Sequence, residues 1–276
     1  KTDITQPLGV QELRQQLAGR WFATWTENGF SHDLYRLLED LFSETKPVPR
    51  PTVVVKRANT KRNLVFHLWP VRSNDLWRRW LRRLMRVWPK FNGRKIIGCV
   101  VDHQTVPWKT LCRQLPDDAE WIVQRNNPQR GEGVTWELAM QMVKSLEPTE
   151  MTCYGHGKGV LPAYHVPERS RELQSILMWG RFLYRFTMAL DTSIVESILE
   201  RWPCAGSLKK HEAYRQEVGR PPSLWHYSGT FFWLNHQAYF SHPESLKIGQ
   251  SRWAVERHLG ELFPVEQAYC IAGDHM

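Results

Sequence analysis

Apolar positions along this chain switch between two periods, and the switches mark out its elements. Near the start, Leu13, Leu17, Trp21 and Trp25 recur four apart, and residues 35–42 repeat the helical pattern after a break at Asn28-Gly29. Pro47, Pro49 and Pro51 then make a stiff connector, so residues 1–50 read as an N-terminal helical appendage. From Asn63 to Trp69 a short apolar run ended by Pro70 predicts a buried strand. Ser73 or Asn74 caps a helix in which Trp77, Trp80, Leu81, Leu84 and Trp88 line one face and five arginines between Arg78 and Arg86 fall largely on the other. Pro89 stops it. Residues 95–101 predict a second strand, 106–115 a short helix, 120–124 a third strand, 135–146 a helix and 151–154 a fourth strand.

This strand–helix alternation predicts an α/β fold with a Rossmann-like, mostly parallel sheet and helices on both faces. Such sheets bind ligands outside the carboxyl ends of their strands. Asp102, Asn126, Asn127 and the segment His156-Gly157-Lys158-Gly159 all fall at that edge. The second half is less regular. Helices are expected over 171–189, 192–202 and 251–263, and the aromatic stretch from Leu224 to Leu234 reads as strand, turn near Ser228-Gly229, and strand.

Composition narrows the classes. Hydrophobic residues make up 42% of 276 residues, enough for a sizeable core, but no apolar run approaches the roughly 20 residues that cross a bilayer. The opening Lys1-Thr2-Asp3-Ile4 lacks the apolar stretch of a signal peptide. Five scattered cysteines, with Cys99, Cys153 and Cys270 in apolar stretches, point to buried thiols in a reducing compartment, so a cytoplasmic location is expected. The net charge of +9 suits an anionic partner: a diphosphate, nucleic acid or an acidic membrane face. For the arginine-rich helix, a solvated polar face is the simpler reading than a nucleic-acid grip. Neither a Walker nor a Gly-x-Gly-x-x-Gly fingerprint occurs, nor Gly-x-Ser-x-Gly.

Two segments together carry a resemblance. Tyr154-Gly155-His156-Gly157-Lys158-Gly159 resembles the Tyr-x-His-x-Lys-Gly element, and Trp225-His226-Tyr227-Ser228-Gly229-Thr230-Phe231-Phe232-Trp233 the Trp-His-(Tyr/Phe)-Ser-Gly-Asn-Phe-Trp-Trp element, of bacterial glycosyltransferase-like proteins linked to surface-polysaccharide synthesis. The resemblance spans about residues 63–270 and implies a GT-A-type domain over residues 51–276, with 63–160 as the nucleotide-binding half and 161–276 as the acceptor half. The implied partners are a nucleotide-sugar donor and a carbohydrate or other hydroxyl acceptor. Departures stand beside it. The chain has no Asp-x-Asp, the motif that typically holds Mn²⁺ or Mg²⁺ in such enzymes; His156 to Gly159 occupies that place. The motif's Asn is Thr230, its second aromatic is Phe232, and an Arg-Tyr pair is Arg257-His258.

A transferase must neutralise a departing diphosphate, by a metal or by cationic side chains and backbone N–H groups. Lys158 between two glycines suits the second solution, and His156 would donate to phosphate or ligate a metal. Asp102, Asn126 and Asn127 are candidates for the base and ribose. Trp225 and Trp233 are candidate walls for a sugar, with Ser228 and Gly229 as the turn beneath it. Glu261 and His226 are the candidate catalytic groups, and Glu256 is a second carboxylate able to take an acceptor proton. Against Glu261 stands its i,i+4 spacing from Arg257, which predicts a structural ion pair. Two other classes remain open: a catalytically degenerate module that keeps the nucleotide or sugar pocket, and a nucleic-acid-binding protein driven by charge.

Overall fold

The computed structural model describes residues 60–157, 171–211 and 217–272. The appendage expected over 1–50, and Lys158 and Gly159, lie outside the described residues.

The chain alternates as expected in its first half. β1 (Lys61–Leu68), α1 (Leu76–Val87), β2 (Lys95–Val101), α2 (Trp108–Cys112), β3 (Ala119–Arg125), α3 (Gly133–Val143) and β4 (Glu150–His156) follow in order. The second half contributes α4 (Arg171–Leu183), a π-helical turn (Tyr184–Met188), α5 (Thr192–Leu199), β5 (Cys204–Ser207), β6 (Lys209–Lys210), β7 (His226–Tyr227), β8 (Phe232–Asn235), α6 (His236–Phe240), α7 (Ala254–Leu262) and β9 (Ala268–Ala272). Seven strands form one sheet in the order β3-β2-β1-β4-β8-β5-β9, and β6 and β7 form a separate antiparallel pair. β3, β2, β1 and β4 are parallel, β8 runs antiparallel to both its neighbours, and β9 is parallel to β5. The protein is therefore α/β, with a mixed, mostly parallel sheet.

Strand alternation divides the core in two. Leu64, Phe66 and Leu68 of β1 point to one face, with Trp77, Trp80, Leu81 and Leu84 of α1. Val65 points to the other, with Trp136 and Met140 of α3 and Leu259 of α7. Burying each of these large side chains contributes roughly 1.5–3 kcal/mol. The two-faced pattern expected of α1 holds, with Trp88 in the 3-10 turn that follows it. Its indoles are buried and Arg79, Arg82 and Arg86 are exposed, but the N-cap is Asp75, whose side chain makes no cap bond; Asn74, one residue earlier, accepts from Leu76 N–H at 3.1 Å through its Oδ1.

Two helix bounds are corrected. The helix expected over 171–189 widens into a π turn after Leu183, and that over 192–202 ends at Leu199. The stretch from Leu224 to Leu234 is strand, turn and strand as expected, but the two strands do not pair with each other: β7 pairs with β6, β8 enters the main sheet, and Ser228-Gly229-Thr230 joins the two sheets. Finally, β5, β6, β9 and α6 carry no periodic signal, because each spans five residues or fewer.

Candidate functional site

Connections from β1 lead to β2 on one side and from β3, through α3, to β4 on the other. The carboxyl ends of β1 and β4 are thus the switch point, the place where sheets of this kind bind ligands. His67 and His156 face each other there in register, and Gly157 N–H donates to His67 O at 3.1 Å. Both histidines share the face of Val65 and Tyr154, the one covered by α3.

The start of α3 supplies their partners. Thr135 Oγ1 lies 2.9 Å from His67 Nδ1, and Glu132 Oε1 lies 3.2 Å from His156 Nδ1. Tyr154 OH donates to the other oxygen of Glu132 at 2.9 Å. His156 Nε2 lies 2.9 Å from the carbonyl oxygen of Gly229, and Gly229 N–H donates to Glu256 Oε1 on α7 at 2.8 Å. One chain of contacts therefore runs Tyr154, Glu132, His156, Gly229, Glu256. Both partners of the His156 ring in this chain, a carboxylate and a carbonyl, are acceptors. Both contacts are hydrogen bonds only when both ring nitrogens carry protons, as in the imidazolium. Burial lowers the pKa of His67 to about 4, so it is neutral at pH 7.

Gly229 has φ of 97° and Thr230 φ of 58°, so the loop depends on left-handed backbone at both positions. Gly155 lets this loop close on β4: a Cβ there would sit 2.9 Å from the ring of Phe231.

Asp102 and Asn126 are brought together at the ends of β2 and β3. Asp102 Oδ2 accepts from Asn126 Nδ2 at 2.7 Å and from Trp69 Nε1 at 3.3 Å, and Oδ1 accepts from Gln104 N–H at 2.8 Å. This carboxylate ties three strand ends together. Asn127 is exposed, and its Oδ1 accepts from Gln129 N–H at 3.0 Å within the turn leading to α3.

Other expected site residues are placed elsewhere. Trp225 and Trp233 are core residues and present no face to a sugar. Both are buried, with indole N–H groups donating to Phe263 O at 2.7 Å and Thr187 O at 2.8 Å. Their stacking role is corrected by that burial. His226 is buried in the small sheet opposite Lys210, and Ser228 N–H donates to Leu208 O at 2.9 Å. Glu261 forms the ion pair its spacing predicts. Its side chain is 1% exposed, with Arg257 Nε at 2.5 Å and Arg220 at 2.5 Å. Both of its oxygens are thus engaged by guanidinium groups inside the fold. Glu256, five residues earlier on α7, is the carboxylate that reaches the loop.

Sequence reasoning missed Glu132, Thr135 and His67. Glu132 had a visible signal, an acid between Gly131 and Gly133 where a helix begins beside a strand edge. Among the described residues, no three His, Cys, Asp or Glu side chains gather as a metal-binding group. No described helix is long and apolar enough to cross a membrane. A scan against models of known protein families matches none of them, and no curated protein is significantly similar in sequence.

Proposed function

We propose that this chain is a glycosyltransferase-like protein of GT-A type that binds a nucleotide sugar at the carboxyl ends of β1 and β4 and passes the sugar to a hydroxyl acceptor. The observation that carries the reading is the His156–Gly229 contact. The two motifs on which the resemblance rests are far apart in the chain, yet His156 and Gly229, 73 residues apart, meet in one hydrogen bond at the carboxyl end of β4.

In this reading the diphosphate lies near His156, whose charged form supplies positive charge where negative charge develops on the leaving group. Lys158, next but one along the chain, is assigned to the same diphosphate. Glu256 takes the acceptor proton as the acceptor oxygen bonds to the anomeric carbon. The bond from that carbon to the diphosphate breaks, and its electron pair leaves on the phosphate oxygen. Glu261 holds α7 in place and takes no proton.

The test is a thermal-shift series with UDP, GDP, CDP and TDP, each with and without Mn²⁺. Binding to the native state raises the apparent melting temperature. At least one nucleotide is expected to do so, and to do so less in His156→Ala. A flat response to all four would sink the proposal. A second reading, a binding module without turnover, is favoured by the engagement of Asp102 and Glu132 in internal hydrogen bonds. Nucleotide binding without transfer or donor hydrolysis would select it.

A further inference from the structure

Among the described residues β3 is an edge of the main sheet, with β2 on one side and no strand on the other. One bond sets which peptide groups face outward: Asn126 N–H donates to Val101 O at 2.9 Å. Even-numbered residues of this strand turn their peptide groups to β2, so Ala119, Trp121, Val123 and Arg125 turn theirs away from the sheet. Natural edges are usually guarded by Pro, Lys, a bulge or a cover. β3 has neither Pro nor Lys, and its register with β2 runs unbroken from Ala119 to Arg125. The opposite edge, β9, is buried except at Tyr269.

Beside β3 lies an open groove against α3, lined by Trp121, Ile122, Val123, Leu138 and Met142. Leu138 is 44% exposed, an unusual place for a leucine. The strand is also polar in charge: Asp117 and Asp118 precede it, Glu120, paired with Arg94, lies at its start, and Arg125 ends it. An identical strand laid antiparallel sets unlike ends together, whereas a parallel one sets like ends together.

We propose that β3 pairs antiparallel with β3 of a second copy of this chain, giving a symmetric dimer with one continuous sheet. The two-fold axis passes at Ile122. Trp121 of each copy then faces Val123 of the other, an aromatic–β-branched pair joined through outward peptide groups. Arg125 of each faces Ala119 of the other, with Asp117 diagonal to it on the same side. The two-fold brings both Leu138 side chains to the shared groove.

The experiment is sedimentation velocity on the full chain from low to high micromolar concentration. A reversible dimer of the 32.6 kDa chain is expected. Val123→Pro removes an N–H that β2 does not use, so it gives a monomer with unchanged circular dichroism. Arg125→Asp weakens the dimer at least severalfold, and adding Asp117→Arg restores it. Val218→Glu, at an exposed position elsewhere, leaves the dimer intact. A monomeric wild type overturns the proposal, as does a folded Val123→Pro dimer. If Val123→Pro does not fold, the charge pair decides: failure of Asp117→Arg to restore association overturns the interface.

Discussion

Thr230 holds φ of 58° while 3% exposed, a conformation that β-branched residues rarely adopt. The strain, roughly 1–2 kcal/mol, is borne because its neighbour Gly229 is held on both sides, by His156 at its carbonyl and Glu256 at its N–H. The resembled motif carries Asn at this position, and Asn tolerates left-handed backbone. Thr230→Asn is therefore expected to raise stability by about 1 kcal/mol, read as a higher urea midpoint at unchanged slope. At His156 the expectation is opposite in kind. His156→Ala removes a charge-assisted contact, so nucleoside diphosphate affinity falls about tenfold, measured by calorimetry.

At the scale of elements, α7 separates two carboxylates that the sequence leaves level. Glu256 reaches out to Gly229, while Glu261 lies inside with Arg257 and Arg220. Removing one partner of a buried ion pair leaves an uncompensated charge, at a cost of about 3–5 kcal/mol. Glu261→Gln should thus lower the melting temperature strongly while the remaining folded protein keeps its nucleotide affinity. Glu256→Gln should do the reverse: stability changes little and transfer is lost. A Glu261→Gln protein that is as stable as wild type but inactive would return the base role to Glu261. The helix–strand order of the first half was legible because each element except the five-residue α2 is long enough to show its period. The start of α3 was legible as a helix beside a strand edge, but not as the element that grips His67 and His156.

For the whole molecule, acid sensitivity follows from three histidines. Burial lowers the pKa of His67 and His236 to about 4 and of His258 to about 3. Their unfolded-state value is near 6.5. Above that value neither state binds the proton. Between about 6.5 and 4 the unfolded chain binds it and the native one does not, so stability falls as pH falls through this window. The loss reaches on the order of 3 kcal/mol per histidine. Urea melts at pH 7.5 and 5 are expected to show a clear drop, smaller in His67→Gln. A stability independent of pH across that range would contradict the neutral buried state.

The sequence by itself determined the parallel half of the sheet, the two-faced α1 and the Arg257–Glu261 pair. Each rests on spacing between residues close in the chain, which local geometry alone dictates. It also placed both motifs, because residue identity at fixed intervals survives without a fold. Only the tertiary structure decided that β8 enters the sheet reversed, that Trp225 and Trp233 are core, and that Glu132, His156, Gly229 and Glu256 form one chain of contacts. Those outcomes depend on which distant segments pack together. No local periodicity records the partner that a buried indole or a strand-end histidine will meet across the sheet.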